Sequence, residues 1–351
     1  MSLSHVSKFS ICLSVLSVLA VPAWSAYSIS EIQYTTSPTG ESPLDDPNSD
    51  VVIDCFGGVV TMKFEGSRPR VVLQDPNDAT GWGGIQVKDW TGTLFGNVNV
   101  GDWVSVSNVL LQEYRGTTML QYMGDYAPNY TVVSTGNPVP APVVVDVSAV
   151  LAPVQDPNGW FVADHSAEIY ESMRVRVQDV TVTGLDNGKA RDDYTLESGD
   201  DPNASTWASD YMNADRPWDS DYHDYVEVAQ YFGSVTGVFE QYTKLSSGWD
   251  YYQILTTCTG DFTGYPGDAN LDGSIDIGDL GILGGNYGVA SDAAWQEGDF
   301  TGEGAVGIGD LGVLGGSYGT NPGGAATAVP EPVSLAIMAT AAVAMLRRRW
   351  R

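Results

Sequence analysis

Two twelve-residue stretches place side-chain oxygens at intervals that suit a hard cation. In "DANLDGSIDIGD", Asp268, Asn270 and Asp272 stand at positions 1, 3 and 5, Gly273 at 6, Ile275 at 8, Asp276 at 9 and Asp279 at 12. Ser274, at position 7, is placed to contribute its backbone carbonyl. Calcium takes about six to eight oxygen ligands, and a glycine at position 6 permits the sharp bend that gathers them. The pattern recurs in "DFTGEGAVGIGD", with Asp299 at 1, Thr301 at 3, Glu303 at 5 and Asp310 at 12. Position 9 there is Gly307, which has no side-chain oxygen, so this second loop is expected to hold calcium less tightly.

Each loop runs into a matching segment, "IGDLGILGGNYG" and "IGDLGVLGGSYG". Helices so rich in glycine form poorly alone, and bound calcium would supply the missing folding energy. The spacing is that of an EF-hand loop. A loop followed by a single helix, repeated, with Asp rather than Glu at position 12 and no preceding helix, resembles the type I dockerin module over residues 261–321. The resemblance implies calcium binding and docking onto a cohesin-like protein, often to attach a carbohydrate-active enzyme to an assembly. Where dockerins contact their partners, this chain has Ile277-Gly278 and Ile308-Gly309.

Little else looks catalytic. Beyond the first 25 residues the histidines are His165 and His223, and neither lies in a nucleophile elbow or a zinc pattern. A pair of carboxylates suffices to hydrolyse a glycosidic bond, but no pair is singled out by spacing. A non-catalytic protein is therefore expected. The alternatives are a glycoside hydrolase component acting on O-glycosyl bonds of polysaccharide, and an accessory to an extracellular nuclease. The segment Asn203 to Tyr225 concentrates Trp207, Tyr211, Trp218, Tyr222 and Tyr225 among acids. Trp207 and Trp218 either stack on a glycan or pack onto a β-barrel as part of an insertion.

The 351 residues carry 16 Lys+Arg against 44 Asp+Glu, a net charge of -28. Such a surface repels polyphosphate and makes nucleic acid an unlikely partner. Lys8, the apolar "FSICLSVLSVLAVP" and "AWSA" read as a secretory signal peptide over residues 1–25. At the other end, "VPEP", the apolar "VSLAIMATAAVAML" and "RRRWR" follow in order. They resemble the bacterial PEP-CTERM sorting signal, with Pro330, Glu331 and Pro332 as its motif. That resemblance implies cleavage by an exosortase, with membrane contact only through the C-terminal transmembrane helix. The protein is thus expected to be exported to the cell envelope or surface, or released after the tail is processed. Cys55 and Cys258 remain after the signal peptide, free to form one disulfide or to stay as thiols.

The long middle region reads as mainly β. "DVVIDCFGGVVTMKF", "RVVLQD", "GIQVKD", "GDWVSVSNVLLQEY" and "TTMLQY" are strand signals, with Gly57-Gly58 marking a bulge in the first. "VSNVLLQEY" is echoed by "VTGVFEQY", and Asp-Pro-Asn turns occur at Asp46, Asp75, Asp156 and Asp201. The strand series resembles the OB-fold modules that accompany bacterial extracellular nucleases, and "YESMRVRVQDVTVT" with "SVTGVFEQY" resembles a second, divergent copy. The expected layout is signal peptide 1–25, OB-like barrel 26–135, Pro-rich connector 136–150, divergent OB-like barrel 151–260, dockerin-like calcium module 261–321, and linker with sorting signal 322–351. The fold class is therefore two five-stranded Greek-key barrels followed by a small α EF-hand repeat pair. The expected function is calcium-dependent docking combined with ligand, glycan or partner binding by the barrels.

Overall fold

The computed structural model describes residues 26–65, 69–185, 193–210 and 226–322. The signal-peptide segment, the sorting motif Pro330, Glu331 and Pro332, and the residues Trp218 and His223 lie outside them. A short helix α1 (Ile29–Gln33) is followed by β1 (Val51–Phe64), β2 (Arg70–Gln74), β3 (Gly84–Asp89), the helical turn α2 (Thr93–Asn97), β4 (Trp103–Tyr114) and β5 (Thr117–Tyr122). All five strand signals of this region are strands. β1 pairs antiparallel with β2 and β4, and β3 runs parallel to β5, so the ring β1-β2-β3-β5-β4 closes on itself. β6 (Asn129–Ser134) is added beside β4.

Closing so small a barrel requires its long strands to bend, and Gly57-Gly58 lies where β1 shifts register against β4. Gly57 has φ 70°, and a Cβ there would fall 1.6 Å from the Val104 carbonyl oxygen. Any larger residue would force the barrel open at this corner.

The second barrel repeats the plan. β7 (Val143–Val144) and the hairpin β8 (Val154–Gln155) to β9 (Phe161–Val162) precede β10 (Arg174–Leu185), β11 (Asp193–Ser198), β12 (Ser205–Ser209), β13 (Tyr231–Lys244), β14 (Trp249–Leu255) and β15 (Phe262–Thr263). The ring is β10-β11-β12-β14-β13, with β12 parallel to β14, the same order as in the first barrel. The echoed segments "VSNVLLQEY" and "VTGVFEQY" occupy β4 and β13, the fourth strand of each ring. Five-stranded Greek-key closure in this order is the OB barrel. In all four Asp-Pro-Asn turns the Asp carboxylate accepts the Asn backbone N–H, at 2.8 to 2.9 Å.

The barrels pack against each other. β1 alternates in its first half but is buried on both faces near its end, and β2, β3 and β5 are buried almost throughout. Their inner residues, such as Val71, Leu73, Ile85 and Val87, fill the barrel, while Met62, Phe64 and Val72 form a separate cluster with Val238 and Leu255 of the second barrel. Covering an apolar side chain of this size contributes roughly 1.5 to 3 kcal/mol. The Thr117 hydroxyl donates to the Gln241 carbonyl at 2.6 Å, and the Arg174 N–H to Gln74 at 3.1 Å. Arg70 pairs with Glu240 across the same contact. After the barrels come α3 (Ile277–Asn286) and α4 (Ile308–Ser317), which pack on each other through Leu283 and Leu314.

Candidate calcium loops and the inter-barrel carboxylates

The two acid-rich loops fold alike. Asp268 and Asp279 are buried, as are Asp299 and Asp310, while positions 3 and 5 of each loop face solvent. Asp268 accepts the N–H groups of Asp272 and Gly273 at 3.1 and 2.9 Å, and Asp279 those of Ala269 and Asp276, both at 2.8 Å. In the second loop Asp299 accepts from Gly302, Glu303 and Gly304, and Asp310 from Thr301 and Gly307. First and last carboxylates thus close each turn onto its backbone.

The loops are also tied to each other. The Ile275 N–H donates to Thr320 and its carbonyl accepts from Gly319, while Val306 makes the same pair of bonds with Val289 and Gly288. Position 8 of each loop is therefore bonded to the chain leaving the other loop's helix, and the two units form an approximate pair.

The differences lie at positions 3, 5 and 9. Asn270 donates to Asp272 at 2.8 Å, and Asp276 caps α3 by accepting the Gly278 N–H at 2.7 Å. Thr301 instead turns its hydroxyl onto Asp310 at 3.1 Å, and Gly307 gives α4 no side-chain cap. Burial, followed by the nearby charges of Asp279 and Asp272, raises the proton affinity of Asp268 to a pKa of about 6. Among the described residues no three or more His, Cys, Asp or Glu side chains are arranged to hold a metal ion. The donor set of the first loop nonetheless fits calcium, which accepts amide and backbone oxygens alongside carboxylates. Asp268, Asn270, Asp272, Asp276 and Asp279, with the Ser274 carbonyl, would be its ligands.

A second acidic group joins the barrels, and no spacing in the sequence announces it. Glu113 from β4, Glu168 from the 3-10 turn His165–Tyr170, and Glu171 just after it meet beneath the segment that follows α1. Glu171 accepts the Thr118 N–H at 3.0 Å and the Gln33 amide at 3.3 Å, and Glu113 accepts the Ser42 N–H at 2.8 Å. The Tyr252 hydroxyl donates to Glu168, and His165 bridges Tyr252 and Asp250 at 3.2 and 3.1 Å. None of the three glutamates has an ion-pair partner among the described residues.

Burial therefore raises their proton affinity, Glu113 to about 7, Glu168 to about 8, and Glu171 well above the usual carboxylate range. One oxygen of each, with Gln33 Oε1, is a buried acceptor without a donor. A proton on a carboxyl supplies the donor that this group of acceptors lacks.

The remaining sites expected from the sequence are placed as follows. Trp207 is only 6% exposed and packs edge-on against Phe161 and Tyr251, so it belongs to the barrel packing rather than to a glycan platform. Cys55 is buried in β1, where burial pushes its thiol up to about 12, and no disulfide joins it to Cys258. Among the described residues no helix is long and apolar enough to cross a membrane.

No protein-family model and no curated protein matches the chain. Among solved structures it is similar to a murine DNA-binding protein bound to double-stranded DNA, at 11% identity over 59% of this chain and 94% of that one, with a TM-score of 0.29. It is also similar to the HINa domain of Ifi202 in complex with double-stranded DNA, at 8% identity over 58% and 94% of the two chains, with a TM-score of 0.30. A Pot1 complex with single-stranded DNA matches at 16% identity over 34% of this chain and 73% of that one, with a TM-score of 0.22. These likenesses are loose, and the barrel assignment rests on the strand order and register given above.

Proposed function

We propose that this chain is an exported, non-catalytic binding and scaffold protein of the cell envelope. In this reading, calcium orders a dockerin-like module for docking, and the joined OB barrels form a rigid body carried with it. The observation that carries the reading is the paired loop and helix arrangement, with buried acids at positions 1 and 12 of both loops. Ile277 and Ile308, 69% and 74% exposed, stand at the same place in the two units and offer a partner two equivalent apolar contacts. A cohesin-like or other envelope protein is the partner proposed, with an exosortase-type enzyme processing the C-terminal tail.

The barrel arrangement favours scaffolding over nucleic-acid accessory work. The β2–β3 face on which OB folds often bind oligonucleotides is buried here against the second barrel. Hydrolysis of O-glycosyl bonds needs two carboxylates flanking an accessible bond, and the glutamates with raised proton affinity lie under the chain rather than in an open groove.

The test is a pull-down from envelope extract with the chain as bait, in calcium and in chelator. Capture of one partner only in calcium, lost when Ile277 and Ile308 are both changed to Asp, is expected. Capture indifferent to chelator and to both substitutions would exclude docking by this module.

A further inference from the structure

A cleft of the first barrel lies between the segment following α1 and the turn that joins β2 to β3. It has a volume of about 890 Å³ and is bordered by Tyr27, Tyr34 and Trp82, with Glu31, Glu41 and Asp78 around them and serine and threonine hydroxyls between. We propose that this cleft is a binding site for a neutral oligosaccharide. This goes beyond the docking reading and does not depend on it, because none of these residues belongs to the calcium module.

The first argument is the rings. Tyr34 is 57% exposed and meets Trp82 edge-on, with centroids 5.5 Å apart and planes at 69°. The exposed Tyr34 ring and the half-buried Trp82 ring together offer apolar surface, which the C–H face of a pyranose covers without demanding charge.

The second is the backbone beneath Trp82. Its φ is 61°, a left-handed conformation that is an outlier for so bulky a residue. The conformation is held from outside: the Trp82 N–H donates to the Ile169 carbonyl of the second barrel at 2.7 Å. Gly81 beside it lies so close that a Cβ would fall 2.3 Å from Ile169 Cγ1. Packing of the two barrels thus fixes a strained turn with its tryptophan at the cleft, and strain of this kind gathers at ligand clamps. A ring already held in place loses less entropy when a ligand arrives.

The third is charge. Among the described residues, three carboxylates and no Lys, Arg or His border the cleft. Nucleic acid and acidic polysaccharide are repelled, whereas sugar hydroxyls donate readily to carboxylates. Two of these acids already hold local hydroxyls, Glu31 accepting from Ser28 and Glu41 from Ser37. In both carboxylates these bonds fall on Oε2, and Oε1 suits a further hydroxyl donor.

The experiment is calorimetric titration of the full chain with cellohexaose, xylohexaose and mannohexaose, with a heparin oligosaccharide, oligo-dT and a lysine-rich peptide as contrasting probes. At least one neutral hexasaccharide is expected to bind at micromolar to millimolar concentration, while the two anionic probes do not. Tyr34→Ala and Trp82→Gly should each weaken binding by about tenfold or more. Glycine suits φ 61°, so Trp82→Gly removes the ring without straining the turn, and an unchanged melting temperature will show that the fold is kept. The proposal is overturned if no neutral hexasaccharide binds, if binding is indifferent to both substitutions, or if the lysine-rich peptide or an anionic probe binds in the sugar's place.

Discussion

The acids of the candidate calcium loops and the acids between the barrels are both carboxylates, under opposite constraints. In the loops, Asp268, Asp279, Asp299 and Asp310 receive backbone N–H donors from their own turn, and their neighbours face solvent with oxygens to spare. Between the barrels, Glu113, Glu168 and Glu171 are crowded under the chain with too few donors. A concentration of carboxylates can be balanced by a metal ion or by protons. We propose the former for the first group, and the burial of the second favours the latter.

The largest effect expected from this contrast is on pH-dependent stability. The ordinary value for a glutamate is 4.5, and Glu113 and Glu168 rise to about 7 and about 8. The folded chain therefore holds more protons than the unfolded one across that interval, so the stabilisation is complete below it and is lost as pH rises through it. His165 acts in the same direction, its proton held by Asp250, whose carboxylate it keeps ionised against burial. Glu41 also faces His165 and Glu168, and Asp45 faces Glu113, each adding negative charge. The unfolding free energy should thus fall by an amount on the order of a few kcal/mol between about pH 5 and about pH 8.5. Glu171→Gln, which keeps the shape but removes one ionisable group, should flatten the decline. A melting temperature that rises with pH, or a decline unchanged by Glu171→Gln, would show that the glutamates are balanced in some other way.

A smaller effect distinguishes the two loops. Gly307 has an extended backbone and open space where a Cβ would go, so Gly307→Asp should fit without strain. It would give α4 the cap that Asp276 gives α3, worth a few tenths of a kcal/mol without calcium. In calcium it would also add an oxygen at position 9 and tighten the second site. Thermal unfolding in chelator and in calcium separates these contributions, and an equal gain in both conditions would leave position 9 with a capping role alone.

The same contrast explains what could be read from the sequence. The acids proposed as calcium ligands lie within twelve residues of one tight turn, so their spacing is open to view in the sequence, and the structure shows the first and last of each loop buried. Strand signals were equally local, and the repeat of "VSNVLLQEY" as "VTGVFEQY" marked the same strand of both rings. The inter-barrel group was not legible, because Gln33, Glu113, Glu171 and Tyr252 meet only through the packing of two barrels. Trp82 was hidden for a related reason: its presentation depends on a backbone angle fixed by Ile169 of the other barrel. For Trp207 the composition left platform and packing both open, and the hairpin bearing Phe161 decides for packing.

The most direct test of the account is calorimetric titration of the chain with calcium, beside the Asp272→Ala variant. The account predicts a tighter calcium step that disappears in Asp272→Ala, leaving only the weaker step assigned to the loop from Asp299 to Asp310. A titration that Asp272→Ala leaves unchanged would contradict it.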